Sequence, residues 1–373
     1  MKSFTIGRRR FTISPRPNPT GLNSLVVFFI AVIGALLVGA VFLVVTGFAP
    51  FEVYAEMADS ALGGGRAVSE TLLAAGPLIL VGLAAAIAFK MLIWNIGGEG
   101  QLLVGAIVAA GAGIALGDSF PGWIGIPIVL LAGAAGGAVW ASFSALPRVY
   151  LGTNEILTTL MLNFIALETM NFLIFGSFSP WRDPAATQFP QGRPLAADLR
   201  LPEVWGRLDI GLFVAVLVAL VVWWLVKSTR WGYEVRVAGD SARVAEYGGI
   251  RVKRKILSVF LLSGAMAGLA GAVLVDGVVG AMEPRSLQLG LGFTGIIVAA
   301  LARLNAAAVI PVALFIGALT NSRSALQIAG VPDSTVIILQ GAIFIFAVSG
   351  EWLLRNQFMV GRLDETRTEG RPA

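Results

Sequence analysis

Apolar residues along this chain gather into blocks long enough to cross a bilayer core of about 30 Å as helices. Ten such blocks are read, at 24–48, 71–89, 102–117, 123–146, 155–176, 208–226, 256–281, 288–302, 305–320 and 335–353. They predict an all-α, polytopic membrane protein of ten transmembrane helices. The membrane domain is placed over 21–353, with a basic segment at 1–20 before it. A tail at 354–373, rich in Arg, Glu and Gly, follows it and has the composition of a disordered end.

Composition sharpens that picture. Of 373 residues, 57% are hydrophobic and only 13% charged, with a mean hydropathy of +0.82, which excludes a soluble globular domain. The chain has neither Cys nor His, so disulfides, thiolate or imidazole metal sites and Ser-His-Asp triads are all excluded. A net charge of +5 could suggest nucleic acid, but the basic residues are distributed as a topology signal. Lys2, Arg8, Arg9, Arg10 and Arg16 precede the first block without an acid and place the N-terminus in the cytoplasm. Alternation over ten spans then puts 20 of the 27 basic residues inside and 7 outside, with both termini cytoplasmic. Arg8-Arg9-Arg10-Phe11-Thr12 also suits a twin-arginine export signal. The block at 24–48 is too long and apolar for a cleaved signal core, so an uncleaved first helix is expected.

Between the second and third blocks the apolar signal is interrupted by Lys90 and then by Trp94-Asn95-Ile96-Gly97-Gly98-Glu99-Gly100-Gln101. This is either a broken helix whose exposed backbone lines a transport path, or a plain hairpin turn with Lys90 reaching the headgroups. The fifth block opens Gly152-Thr153-Asn154-Glu155. Glu155, Thr158, Thr159 and Asn163 then fall within about 140° of one helix face. Such a stripe either lines a path or hydrogen-bonds to neighbouring helices. Glu168 lies about 220° round from Glu155 and has no assignment by this geometry.

Runs such as Gly133-Ala134-Ala135-Gly136-Gly137 and Ser263 to Gly271 carry small residues at close-packing spacing and are read as scaffold. Ten spans with the N-terminus inside make two sets of five, so any internal repeat would be inverted. Asn95–Ala115 and Leu289–Ala308 share a Gly-rich, then apolar texture that fits corresponding helices.

The largest cytoplasmic segment, 227–255, holds eight basic and three acidic residues. Its middle, Asp240 to Tyr247, can form two helical turns, with Asp240 or Ser241 as N-cap and Gly248-Gly249 as the stop. A short helix there suits docking onto another protein; a generic basic loop is the plainer alternative.

The run Asn95 to Gln101, then Gly152-Thr153-Asn154-Glu155-Ile156 leading to Met161-Leu162-Asn163, resembles the permease subunits of bacterial ABC importers for simple sugars and nucleosides. Gly239-Asp240-Ser241 through Gly249-Ile250, the Ser263–Gly271 run and Gly292-Phe293-Thr294-Gly295-Ile296 extend the resemblance over roughly 70–350. The chain looks most like the nucleoside-type branch, in the type II importer architecture. That resemblance implies an inner-membrane permease working with an ABC ATPase, a second and different permease, and an extracytoplasmic substrate-binding protein. It implies a substrate path at Asn95, Glu99, Gln101, Asn154, Glu155, Thr159, Asn163 and Phe293. It also implies ATPase coupling through Gly239, Asp240, Ala245, Glu246, Tyr247, Gly248 and Gly249. Asp240 stands where the family usually has Asn.

None of the five lysines occurs as Gly-Lys-Ser/Thr, so no P-loop is present and ATP is expected on the partner ATPase, with no cofactor on this chain. Few charges in the spans suit a polar neutral solute, and Trp94 or Phe293 could stack on a base or sugar face. The rival reading is an ion-coupled secondary transporter using Glu99, Glu155, Glu168 and Asp276. A membrane enzyme is disfavoured by the absence of His, Cys and clustered carboxylates.

Overall fold

The computed structural model describes residues 2–6, 9–15, 21–176, 180–186, 189–332 and 334–362. The chain divides into two compact units, 1–50 with 337–373, and 51–336. The first unit contains helix α1 (Gly21–Val45) and most of α14 (Ser334–Arg355), the first and last predicted blocks. It also holds a three-stranded antiparallel sheet in which Arg9–Pro15 lies between Lys2–Ile6 and Asn356–Arg362. Disorder is expected over 354–373; of that tail Asn356–Arg362 form this third strand, and 363–373 lie outside the described residues.

The second unit comprises α2 (Pro50–Leu62), α3 (Gly65–Lys90), α4 (Gly98–Leu116), α5 (Gly122–Leu151), α6 (Glu155–Phe175), α7 (Gly211–Ser228), α8 (Arg230–Asp240), α9 (Ala242–Tyr247), α10 (Val252–Val273), α11 (Pro284–Leu287), α12 (Leu291–Leu301) and α13 (Ala306–Ile328). Among the described residues, eight helical segments are long and apolar enough to cross a membrane, and they coincide with the second to ninth predicted blocks. α3 is apolar all round from Leu72 to Phe89 and takes the central position, packed by α7, α10, α12 and α13. α7 buries a single stripe, Gly211, Ala215, Ala219, Val222 and Val226, and leaves Phe213, Leu217, Leu220, Val221, Trp223 and Trp224 exposed.

Glycine decides how closely α4, α5 and α10 approach. A Cβ on Gly105 would stand 2.3 Å from the Gly268 Cα, one on Gly137 2.2 Å from the Gly264 carbonyl, and one on Gly271 2.0 Å from the Leu102 carbonyl. The small residues read as scaffold therefore are scaffold. Backbone contact of this kind is how membrane helices associate when burial against lipid supplies little drive.

The eighth block departs from a simple span. α11 is one turn, Gly290 takes a left-handed φ of +68°, and α12 restarts at Leu291 for only 11 residues. At 1.5 Å per residue, α12 reaches about 16 Å, half the hydrocarbon thickness. α10 ends in a π-helical turn over Leu274–Val279, closed by Gly280 at φ +75°.

Candidate functional site

The break after α3 is shorter than its glycine pattern suggests. The helix ends at Lys90, Leu92 turns the chain at φ +54°, and α4 already begins at Gly98. Glu99, Gly100 and Gln101 therefore occupy a helical first turn. A local amide pair and two residues from other helices, Ser263 and Asn163, secure the non-helical stretch. The side-chain amides of Asn95 and Gln101 exchange hydrogen bonds at 3.0 and 3.1 Å, and the Asn95 carbonyl also accepts from the Gly97 N–H. Asn95 Nδ2 donates to Ser263 Oγ on α10 at 3.0 Å, and that hydroxyl donates to the Ala84 carbonyl of α3. Asn163 on α6 accepts from the Gly100 N–H at 2.8 Å and donates to the Ile96 carbonyl at 2.9 Å.

Glu99 extends this network to the short helix α12. Its two carboxylate oxygens accept from the Gly290 and Gly292 N–H groups, at 3.1 and 2.7 Å. The carboxylate thus lies at the N-terminus of its own helix and caps that of α12. Both positive helix ends favour the anion, which is how an acid is tolerated at this depth. The two segments of shared glycine-rich texture meet at their N-termini, so closely that a Cβ on Gly292 would stand 2.1 Å from the Glu99 nitrogen.

The stripe on α6 faces this network. Thr159 and Asn163 are buried, and Thr159 Oγ1 donates to the Glu155 carbonyl at 2.6 Å. Glu155 is buried and ion-paired with Arg148 of α5 at 3.1 Å. Asn154, exposed, is the N-cap of α6 and accepts from Ile156 and Leu157 N–H. The structure thus brings Asn95, Glu99, Gln101, Thr159 and Asn163 together in one buried cluster, and leaves Phe293 (43% exposed) and Trp94 (51% exposed) outside it. Sequence reasoning missed Ser263, hidden in a run read as packing, and the two backbone donors at Gly290 and Gly292.

The opposite side of α6 is uncovered. Met161, Phe164, Ile165, Glu168, Thr169 and Phe172 are exposed there. Phe164, Ile165, Glu168, Thr169 and Phe172 line a shallow, mostly apolar depression of about 450 Å³. Asn171, beside them, accepts from the Gln288 amide at 3.1 Å, which joins this face to the loop before α12. Glu168 lies about 20 Å along α6 from Glu155, well inside the span.

On the other side of the α3 terminus, the short helix expected at 240–247 is α9, and a second helix, α8, precedes it. α8 is capped by Thr229, and α9 by Ser241, whose Oγ accepts from the Val244 N–H. Asp240 ends α8 and is exposed. Gly239 lies flat against α3, because a Cβ there would stand 2.2 Å from the Lys90 carbonyl. Ala245 is buried with Met91, Ile93 and Phe260, while Val244 and Tyr247 point outward at 61% and 82% exposure. Gly248 and Gly249 stop the helix, the latter at φ +77°. Glu246 borders an open cavity of about 500 Å³ with Tyr150, Arg251 and Lys253. The α8–α9 unit is thus seated on the residues that enter the break at Asn95.

Residues 67–348 match the family described as branched-chain amino acid transport system / permease component. The chain is 32% identical to the guanosine ABC transporter permease protein NupP of Bacillus subtilis, over 92% of this chain and 97% of that protein. It is 33% identical to a glucose ABC transporter permease protein of Haloferax volcanii, over 92% of each. With the nucleoside ABC transporter permease protein NupB of Lactococcus lactis it shares 31% identity, over 85% and 88%. No solved structure matches the chain.

Proposed function

The chain belongs to the branched-chain amino acid transport system / permease component family, and from that premise we propose that it forms one side of the translocation path of an ATP-driven importer for a nucleoside or simple sugar. The observation that carries the placement of the path is Glu168. An uncovered carboxylate in the middle of a span is expensive against lipid, so this face of α6 looks onto water or a partner. Phe164 and Phe172 flank it as apolar surfaces for a base or sugar ring, and Glu168 and Thr169 supply hydrogen-bonding groups. Relatives that carry guanosine, nucleosides and glucose in their names share that kind of solute.

The path is completed by a second, different permease across this face, and an extracytoplasmic binding protein delivers the solute. The chain is a transport subunit without a nucleotide site, and ATP is bound and hydrolysed on an ABC ATPase beneath it. Tyr247 and Val244 of α9 meet that ATPase, and Gly239 and Ala245 pass its movement to Met91, Ile93 and the Asn95 break. Both termini lie in the cytoplasm of a bacterial inner-membrane protein. In this reading Asn95, Gln101, Thr159 and Asn163 hold the start of α4 in place and the solute contacts lie on the other face of α6. Of the four carboxylates that ion coupling could use, Glu99 is held by two backbone donors and Glu155 by Arg148.

The test is uptake of labelled guanosine and of labelled glucose into inside-in vesicles carrying the full complex. Uptake that requires ATP and the binding protein, and that falls at least tenfold in Glu168→Leu with the complex still assembled, is expected. Uptake that continues without the ATPase, or that Glu168→Leu leaves unchanged, would overturn the mechanism or the path respectively.

A further inference from the structure

A second polar feature lies where α3 and α7 end beside α8. Lys90 is the last residue of α3, Lys227 lies in the last turn of α7 and Arg236 is on α8. All three border a cavity of about 310 Å³, which Trp223 and Asn305 complete. No carboxylate lines it, and none of the three cations takes part in an ion pair among the described residues. Arg236 is held in place by donating to the Val226 carbonyl, and the Lys227 ammonium lies 4.7 Å from the centre of the Trp223 ring. Lys90 and Arg236 are close enough to repel one another. Asn305 caps the 23-residue α13, so the positive end of that helix opens on the same cavity.

Three cations and a helix N-terminus without an acid call for an anion. The depth of the cavity selects which one. It sits where apolar helices stop, with Trp223 one turn inside at the position of an aromatic belt. Leu217, Leu220, Val221 and Trp224 then continue along α7 as an uncovered apolar surface running into the span. A phosphate with acyl chains fits both parts; a soluble anion fits only the first.

We propose that this cavity binds the headgroup phosphate of an anionic phospholipid, with its acyl chains along α7. The assignment to the cytoplasmic leaflet rests on the orientation proposed above; the binding itself requires only that the chain spans a membrane. Basic pockets between helix ends on the cytoplasmic side are suited to such headgroups.

The assembled transporter, reconstituted in nanodiscs of phosphatidylcholine containing phosphatidylglycerol, is released for native mass spectrometry and the retained phosphatidylglycerol counted. Each of Lys90→Gln and Lys227→Gln should lower retention about fivefold, the effect of one basic contact, and the double variant more than tenfold. Lys253→Gln, at a separate cavity, should leave it unchanged, and millimolar inorganic phosphate should not displace the lipid. If Lys90→Gln fails to assemble, the exposed Lys227→Gln carries the test alone. Unchanged retention in the lysine variants, or displacement by inorganic phosphate, would overturn the proposal. So would loss of the ATPase from these variants with phosphatidylglycerol still bound, which would make the cavity a seat for that subunit. The count is made whether or not the complex transports, so a failure of the importer reading shows separately in uptake.

Discussion

Glu99 caps a helix other than its own: one of its carboxylate oxygens accepts the Gly292 N–H at 2.7 Å, across 193 positions of sequence. Gly292 can approach only because it lacks a side chain, since a Cβ would stand 2.1 Å from the Glu99 nitrogen. The N-termini of α4 and of the short α12 are thereby joined. Each N-terminus leaves backbone donors that lipid cannot satisfy, so the joint supplies partners that both helices need.

Substitution at this joint should act on assembly. Gly292→Ala forces the two backbones apart and should lower the melting temperature of the detergent-purified complex strongly. Glu99→Gln keeps the shape but removes the charge from two helix ends, a loss of about 1–3 kcal/mol. A melting temperature unchanged in Glu99→Gln would show that the charge is not what holds the ends together.

Asn163→Leu should destabilise the protein as well as reduce uptake. It leaves the Gly100 N–H and the Ile96 carbonyl without the partner they have now, at about 1–3 kcal/mol for each buried group. Melting and uptake measured on the same preparation decide the matter. Uptake lost at full thermal stability would return Asn163 to the solute path.

The α8–α9 unit offers a pair of substitutions with opposite signatures. Gly239→Val collides with the Lys90 carbonyl, so it should unseat the unit from α3 and lower ATP-driven uptake about tenfold or more, with loss of stability. Tyr247→Ala removes an exposed ring and should leave melting unchanged while weakening co-purification of the ATPase. An undiminished ATPase yield with Tyr247→Ala would place the docking surface elsewhere.

Asp209, in the connection before α7, gives the stability a pH dependence. Burial pushes its carboxyl up to about 6; the Gly211 N–H it accepts works against this, and the charge of Glu203 adds to it. A raised acid favours folding when protonated. Its contribution is therefore complete below the ordinary carboxylate range near pH 4 and is lost as pH rises through about 6. Asp209→Asn should remove that component, up to about 3 kcal/mol, so melting curves from pH 4 to 7 should converge on the low-pH behaviour. A wild-type slope retained in Asp209→Asn would assign the dependence to another group.

Some of this was legible in the chain before any coordinates. The caps of α9 were readable because Ser241 and the Gly248-Gly249 pair act on their immediate neighbours. α8 was not, since its stability comes from Gly239 and Val235 packing on α3 and α10 rather than from its own propensity. The polar stripe of α6 was found by periodicity, which says that Glu155, Thr159 and Asn163 share a side but not whether that side meets protein or solute. Glu168, unassigned by the same wheel, is seen in the structure to stand on the exposed face opposite that stripe.

The sequence by itself determined the spans and the bias of basic residues between their ends. Lipid sets the length of an apolar helix and charge is excluded from its interior, both one-dimensional constraints. Only the tertiary structure decided that α12 is a half-helix held by Glu99, that Asn95 and Asn163 hydrogen-bond between helices, and that Lys90, Lys227 and Arg236 surround one cavity. Those outcomes depend on backbone groups and side chains far apart in the chain, whose unsatisfied donors, acceptors and charges can be counted only when the helices are packed.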